Sequence, residues 1–404
     1  MCAVVTDLRE PNGELTAVWQ DGGSEVRAAR LRVGHAEGVD AAGLRLIDHH
    51  CHGVTARDLD RVGFEALATE SDRPPPAGCS VLDSQLGFAL RRWCAPVLGL
   101  SPHADGEAYL ARRRELGAVE VNRRLLRAAD VDAYLVDTGF HGGELLGPAE
   151  MARVAGAAAR EIVRLETVAE DLGEVTAEGF AGAYGERLAE ATAQAVGVKS
   201  IVAYRHGLDF DPRRPTGREV IEAAGRWLRE GRPRITDPVL LRHLLWAGID
   251  RGLPVQLHTG FGDPDLDLAR SDPALLTGFL RATRDRGVPV MLLHCYPFHR
   301  QAGFLAQAFP HVYVDVGLAL NYVGARAEAV FAESLEVAPF HKVLYSSDAY
   351  GLAELHHLGA VLFRQAFAAV TGAWVRDGHW SAGDAVRAGE LIGSGNARRV
   401  YGLD

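Results

Sequence analysis

Residues 237–260 read DPVLLRHLLWAGIDRGLPVQLHTG, and the fold turns on how this stretch is read. The part from 237 to 252 opens with Asp-Pro, an N-cap followed by proline at the first helical position, and closes on glycine, so it predicts a helix. The part from 254 to 260, PVQLHTG, is a short apolar run ending in His258. The same pair recurs at once: DPALLTGFLRATRDRG (272–287), then PVMLLHC (289–295). Short apolar runs alternating with helical periodicity are the pattern of parallel βαβ units.

Working outward, eight such runs appear: 44–50, 132–139, 160–166, 199–205, 254–260, 289–295, 312–317 and 342–348. Their apolar residues are nearly continuous, as expected where helices cover one face of a sheet and layered side chains fill the other. The expectation is a (β/α)8 barrel of the TIM type. Before it, AVVTDL and LTAVWQ flank Pro11-Asn12-Gly13 and predict a β-hairpin extension over residues 1–44. Roughly 80 residues separate the first two runs, against the 2–6 or so of an ordinary βα loop. They contain helix-compatible pieces, so a helical insertion over about 56–130 is expected to cover the catalytic rim, a separate helical domain being the alternative. Trp93 and Cys94 fall there at helical spacing and read as core.

The 404-residue chain is 48% hydrophobic and carries a formal charge of −10 with no Lys/Arg block. That disfavours a nucleic-acid groove or a polybasic membrane anchor and points to a small-molecule substrate. Five cysteines without a C-x-x-C pair argue against a disulfide framework or a zinc knuckle, and with no apolar leader or membrane-length run they predict a cytoplasmic protein. Nothing in the sequence marks an interface, which leaves a homo-oligomer open.

In such barrels the chemistry collects at the C-terminal ends of the strands. Run one ends in Asp48-His49-His50-Cys51-His52, run five in His258, run six in His294 and run eight in Asp348; run two adds Asp137. His50 and His52, two apart in an extended segment, leave the same face and can reach one ion. An H-x-H alone is weak, but its recurrence with two further strand-end histidines and a terminal aspartate predicts a metal site.

This ordered set resembles the amidohydrolase superfamily, and within it the amidohydrolase-2 branch of hydrolases and non-oxidative decarboxylases. The segments 292–318, LLHCYPFHRQAGFLAQAFPHVYVDVGL, and 342–360, KVLYSSDAYGLAELHHLGA, are similar to the amidohydrolase domain of FluG-type proteins. With no glutamine-synthetase-like module, a stand-alone relative is implied. The resemblance makes His50, His52 and His258 metal ligands and Asp348 both ligand and proton acceptor. It gives His294 either the substrate's developing charge or a second ion. Binuclear relatives bridge two ions with a carboxylated lysine at the end of strand four. Lys199 opens run four, which would put it roughly 20 Å from the rim, so one ion is expected. Glu166 is an unusual alternative bridge, an ion pair being its plainer role.

Zinc suits the nitrogen-rich set best, with Mn2+ or Fe2+ as alternatives. The implied reaction is hydrolysis of an amide or other C–N bond by activated water, with decarboxylation as the runner-up and a non-catalytic metal-binding barrel the weakest reading. Arg205, at the rim end of run four, is placed to pair with a substrate carboxylate or with Glu166. His141, His356 and His357 lie just beyond runs two and eight as candidate pocket residues, and Glu354 is given no separate role.

Overall fold

A computed structural model describes residues 39–140 and 143–403 in full, and before them the backbone of short strands between Thr6 and Gly43. Its centre is a seven-stranded sheet with sequential order and parallel pairing throughout. The strands are β1 (Leu46–Cys51), β2 (Val131–Asp137), β3 (Ala158–Arg164), β4 (Gly197–Ser200), β5 (Val255–Thr259), β6 (Val290–His294) and β7 (Val312–Val314). The eighth run, 342–348, does not form a regular strand, yet it bonds to both edges of the sheet. Leu344 N donates to Val314 O at one edge, and at the other His49 N donates to Tyr345 O and Asp348 N to His50 O. The sheet is therefore curled, with its ends brought together across 343–348.

Side-chain alternation splits this sheet into two faces. Leu46, Val131, Val163, Leu257 and Leu292 belong to the large cluster shared with the surrounding helices. Ile47, Ala133, Leu135, Ile162, Met291, Leu293, Tyr313 and Leu344 form a second cluster, completed by Ala397 and Tyr401 of the C-terminal helix Asn396–Tyr401. That apolar plug fills the interior. Residues two further along the same faces, such as Asp137 after Leu135 and Arg164 after Ile162, form a polar layer above it.

Run four ends earlier than expected. Glu166 Oε1 accepts from Ser200 Oγ and Ile201 N, Ser200 Oγ accepts from Val202 N, and the chain turns into the short helix Val202–Arg205. Run three likewise stops at Arg164, and Glu166 lies in the helix Leu165–Glu170.

Between β1 and β2 lie three helices: α1 (Arg61–Leu67), α2 (Gln85–Val97) and α3 (Gly106–Ala128). Side-chain caps from Asp60, Ser84 and Asp105 satisfy their first free N–H groups. Cys94 is fully buried and Trp93 packs against the same core. Arg113 and Tyr109 of α3 both bond Glu354 Oε1, at the start of the long helix Ala353–Arg376. In the N-terminal extension Thr6–Arg9 pairs antiparallel with Leu15–Val18. Gln20–Asp21 pairs with Ser24–Glu25 and Arg30–Gly34 with Gly38–Gly43, so the extension holds more strand pairs than the single hairpin expected. Among the described residues only Ala353–Arg376 is long and apolar enough to cross a membrane, and it is mostly buried as a core helix.

Candidate metal centre

The donor atoms of His50, His52 and Asp348 lie within 4.8 Å of one another, all buried. His50 Nε2 is 2.9 Å and His52 Nε2 3.6 Å from Asp348 Oδ1, while His294 Nε2 is 3.4 Å from Oδ2. The shape of β1 brings this about. Its register against β2 slips between Asp48 and Cys51, one more residue standing on β1 than on its partner, so His49 and His50 both reach the interior. His49 turns down to Tyr401 and Asp315, and His50 turns to Asp348. Cys51 points away, its Sγ donating to Leu135 O.

Partners on the far side of each ring assign the tautomers. Gln256 Nε2 donates to His49 O and to Tyr401 OH, which directs Oε1 at His50 Nδ1, 2.8 Å away. His50 must donate from Nδ1, and His52 donates from Nδ1 to Asp137 O. Both Nε2 atoms therefore carry lone pairs, and both face Asp348 Oδ1. Two lone-pair atoms at 2.9 Å repel unless a cation lies against them, and the Lys199 ammonium, 3.1 Å from His50 Nε2, already stands on one side of the pair. Burial pushes His50 down to about 3, with the Lys199 charge adding to it, and burial holds His294 down to about 4 and His258 well below the usual histidine range. Burial acts to raise Asp348, but His294, His50 and His52 outweigh it and hold the carboxyl well below the usual carboxylate range. His50, His258 and His294 are thus neutral and Asp348 ionised, the state that metal binding requires. His258 Nε2 and both ring nitrogens of His294 are buried without a hydrogen-bond partner. The donor set fits a divalent ion: neutral imidazoles and one ionised carboxylate, supported behind.

Asp315 organises the floor of the site. Its Oδ1 accepts from His294 N and Gly317 N, and its Oδ2 accepts from His49 Nε2. These bonds hold His294 at φ 67° with Cys295 at 57°; Asp348 sits at 48°. Left-handed backbone at non-glycine residues costs on the order of 1–3 kcal/mol each and persists where surroundings over-determine it. Asp48, behind the strand, accepts from Ser347 N and Oγ and so fixes the segment that presents Asp348.

His258 lies one ring further on, its centroid 4.7 Å from His294 and 4.5 Å from Tyr204. Gly262 is required beside it: a Cβ there would stand 2.1 Å from Tyr204 Oη and 3.2 Å from His258 Nε2. Lys199 corrects the sequence reading. Strand four ends at Ser200, so Lys199 is not a strand length from the rim; its Nζ is 3.1 Å from His50 Nε2. Burial lowers its ammonium to about 8 against the opposing charges of Asp137 and Asp348.

Other expectations are redistributed. Arg205 pairs with Glu170, not Glu166, at 2.8 and 3.3 Å. Glu166 caps the end of strand four and reaches no metal donor. His356 and His357 are buried within the helix Ala353–Arg376, His356 packed on Tyr134 and 4.0 Å from Asp48, so neither lines the mouth. His141 lies outside the described residues. Asp137 pairs with Arg164 at 2.6 Å. Glu354, given no role from sequence, anchors α3. Gln256, Asp315, Arg164 and Tyr401 were not singled out; the parity of Gln256 with His258 was the one local signal available for them.

Residues 142–403 match the family described as Amidohydrolase, and the chain belongs to that family. It is similar to FluG of Emericella nidulans, 32% identical over 89% of this chain and 46% of that protein, so it spans about half the length of that relative. A protein from Lactobacillus casei assigned as a metal-dependent hydrolase superposes with TM-score 0.79 at 30% identity, over 89% of this chain and 95% of that one. A uronate isomerase from Bacillus halodurans aligns with TM-score 0.58 at 13% identity, over 90% and 95%, which shows a shared TIM-barrel-like fold alone.

Proposed function

We propose that this chain is a metal-dependent hydrolase that cleaves an amide or other C–N bond in a small molecule, on a barrel whose eighth stave is the segment 343–348. The observation that carries the reading is the pair of unprotonated Nε2 atoms, on His50 and His52, aimed at one carboxylate oxygen of Asp348. His50, His52 and Asp348 would hold a divalent ion, Zn2+ by the nitrogen-rich donors, which would supply Lewis acidity to activate water and polarise a carbonyl.

The chain's own residues supply the rest. Asp348 uses Oδ1 toward His50 and His52, which leaves Oδ2, facing His294, to take a proton and return it to the leaving nitrogen. His294, neutral and with free ring nitrogens, is placed to hydrogen-bond charge developing on the carbonyl oxygen. His258 extends the donor set. Arg164 and Asp137 neutralise each other and hold the wall beside His52. One ion is the primary reading. A second is favoured by Lys199 beside His50 and by the unpartnered nitrogens of His258 and His294. Substrate is a free small molecule in the cytoplasm, with neither nucleic acid nor membrane as partner.

The test is metal analysis of purified protein together with ammonia or amine release from a panel of small amides. One or two equivalents of metal and amide turnover abolished by chelation support the reading. Carbon dioxide release from aromatic carboxylates with no amide turnover overturns it.

A further inference from the structure

The mouth of the site is ringed by aromatic side chains that the metal chemistry does not use. Phe140, Tyr204, Phe261, Tyr322 and Tyr350 follow β2, β4, β5, β7 and Asp348, and each is partly exposed, which places them on an open rim. Their contacts run around the opening. Phe140 packs on His52 at 5.1 Å and on Tyr350 at 5.4 Å, Phe261 packs on Tyr322 at 5.2 Å, and Tyr204 covers His258.

Into this ring the α1–α2 connection inserts one carboxyl group. Tyr322 Oη donates to Glu70 Oε1 at 2.9 Å, and Tyr350 Oη donates to Thr69 O at 3.2 Å, so residues 69–70 are clamped from two sides. Among the described residues no lysine or arginine bonds Glu70. The cations of the neighbourhood are already engaged: Arg164 by Asp137 and by the face of Phe140, 5.6 Å away, Arg205 by Glu170, Lys199 beside His50, and Arg234 by Asp265, which leaves the tyrosines and Phe261 as the faces open to a further cation. Loss of water, followed by the negative charges of Asp348 and Asp263, pushes the Glu70 carboxyl up to about 7 against the pull of the Tyr322 hydroxyl.

We propose that Glu70, with the aromatic ring around it, is a specificity-determining residue that selects substrates bearing a protonated amine at the end remote from the scissile bond. A primary ammonium fits both features, since aromatic faces attract cations and a carboxylate accepts its N–H groups. This assignment rests on the amide-hydrolase reading for the location of the scissile bond, but its selectivity can be measured without turnover.

The probes are 5-aminopentanamide, hexanamide and glutaramate, which share an amide and a similar length and differ in the charge of the far end. Binding to the metal-loaded protein is measured by calorimetry, and ammonia release is measured separately. The ammonium probe is expected to bind about tenfold or more tighter than the neutral one, with the anionic probe weakest. Glu70→Gln should bring ammonium and neutral probes within about threefold, and Tyr322→Phe should narrow the gap part-way. Equal or reversed ranking in the wild type overturns the proposal, and because it needs no variant it stands even if Glu70→Gln fails to fold. Selective binding of the ammonium probe without ammonia release from any amide keeps this inference and removes the hydrolase reading. Ammonia release without charge preference does the opposite.

Discussion

Replacing Arg113 with methionine should destabilise the fold by about 4 kcal/mol at neutral pH, and the size of the effect should depend on pH in a defined direction. Arg113 Nε donates to Glu354 Oε1 at 2.8 Å, with both side chains almost wholly out of water, at 3% and 0% exposure. Removing one member of a buried pair leaves an uncompensated charge, typically about 3–5 kcal/mol. Among the described residues the Glu354 carboxylate would keep only the Tyr109 hydroxyl in compensation. The remaining escape is protonation. Holding a glutamic acid neutral at pH 7, when its unfolded reference titrates near 4.3, costs about 2.7 pH units at roughly 1.4 kcal/mol each, or about 3.7 kcal/mol. The same arithmetic gives about 1 kcal/mol at pH 5. The sign follows: a carboxyl neutral in the folded variant and ionised when unfolded loses stability as pH rises above that reference value. Urea unfolding of wild type and R113M, compared at pH 7 and at pH 5, measures both numbers. The triple variant R113M/E354M/Y109F, which removes charge and orphaned hydroxyl together, should recover most of the loss. A cost below about 1 kcal/mol at pH 7, or one equal at the two pH values, would refute the reasoning.

Three further outcomes follow from the site. Asp348→Asn should lower bound metal at least about tenfold and activity by about a thousandfold or more, read by metal analysis and ammonia release; full metal occupancy in this variant would remove Asp348 from the ligand set. Gln256→Leu leaves every donor in place but frees the His50 ring, so metal affinity should fall about 10- to 100-fold with the circular dichroism spectrum unchanged. Asp315→Asn keeps an amide oxygen for His294 N and Gly317 N but sets its NH2 against His49 Nε2–H, and the disturbed floor should slow turnover on the order of tenfold. The Asp315 carboxyl is held below the usual carboxylate range, burial opposing and His49 and His294 prevailing. Its stabilisation is therefore complete above about pH 4 and lost only as pH falls further, so the stability gap between wild type and D315N should be constant from pH 7 to 5 and shrink in stronger acid.

What the sequence made legible is what local rules control. Apolar runs ending in histidine place His50, His52, His258 and His294 at or beside the ends of β1, β5 and β6 because strand polarity is a property of the segment itself, whereas the run ending in Asp348 forms no regular strand. The convergence of His50, His52 and Asp348 needed in addition the extra residue on β1 and the closing of the curled sheet across 343–348, neither of which the local segment announces. Lys199 was misplaced because the end of strand four is set from outside it: Glu166, thirty-odd residues earlier, takes Ser200 Oγ and Ile201 N and stops the ladder. No propensity within 199–205 announces that stop, and VAYR continues the apolar run. Arg205 was paired with the wrong glutamate for the same reason, since the turn that shortens the strand swings it to Glu170. His356 and His357 looked like rim residues because they follow Asp348 closely, but the helix beginning at Ala353 carries them behind the sheet. In each case the error lies in distance from the strand end, and that distance is decided by a hydrogen bond to a different element. A five-residue misjudgement of where one strand stops would place a buried lysine a barrel's length from the ligand it touches, so the ends of β-strands, more than their number or order, are where the inferred chemistry of such a site is most easily changed.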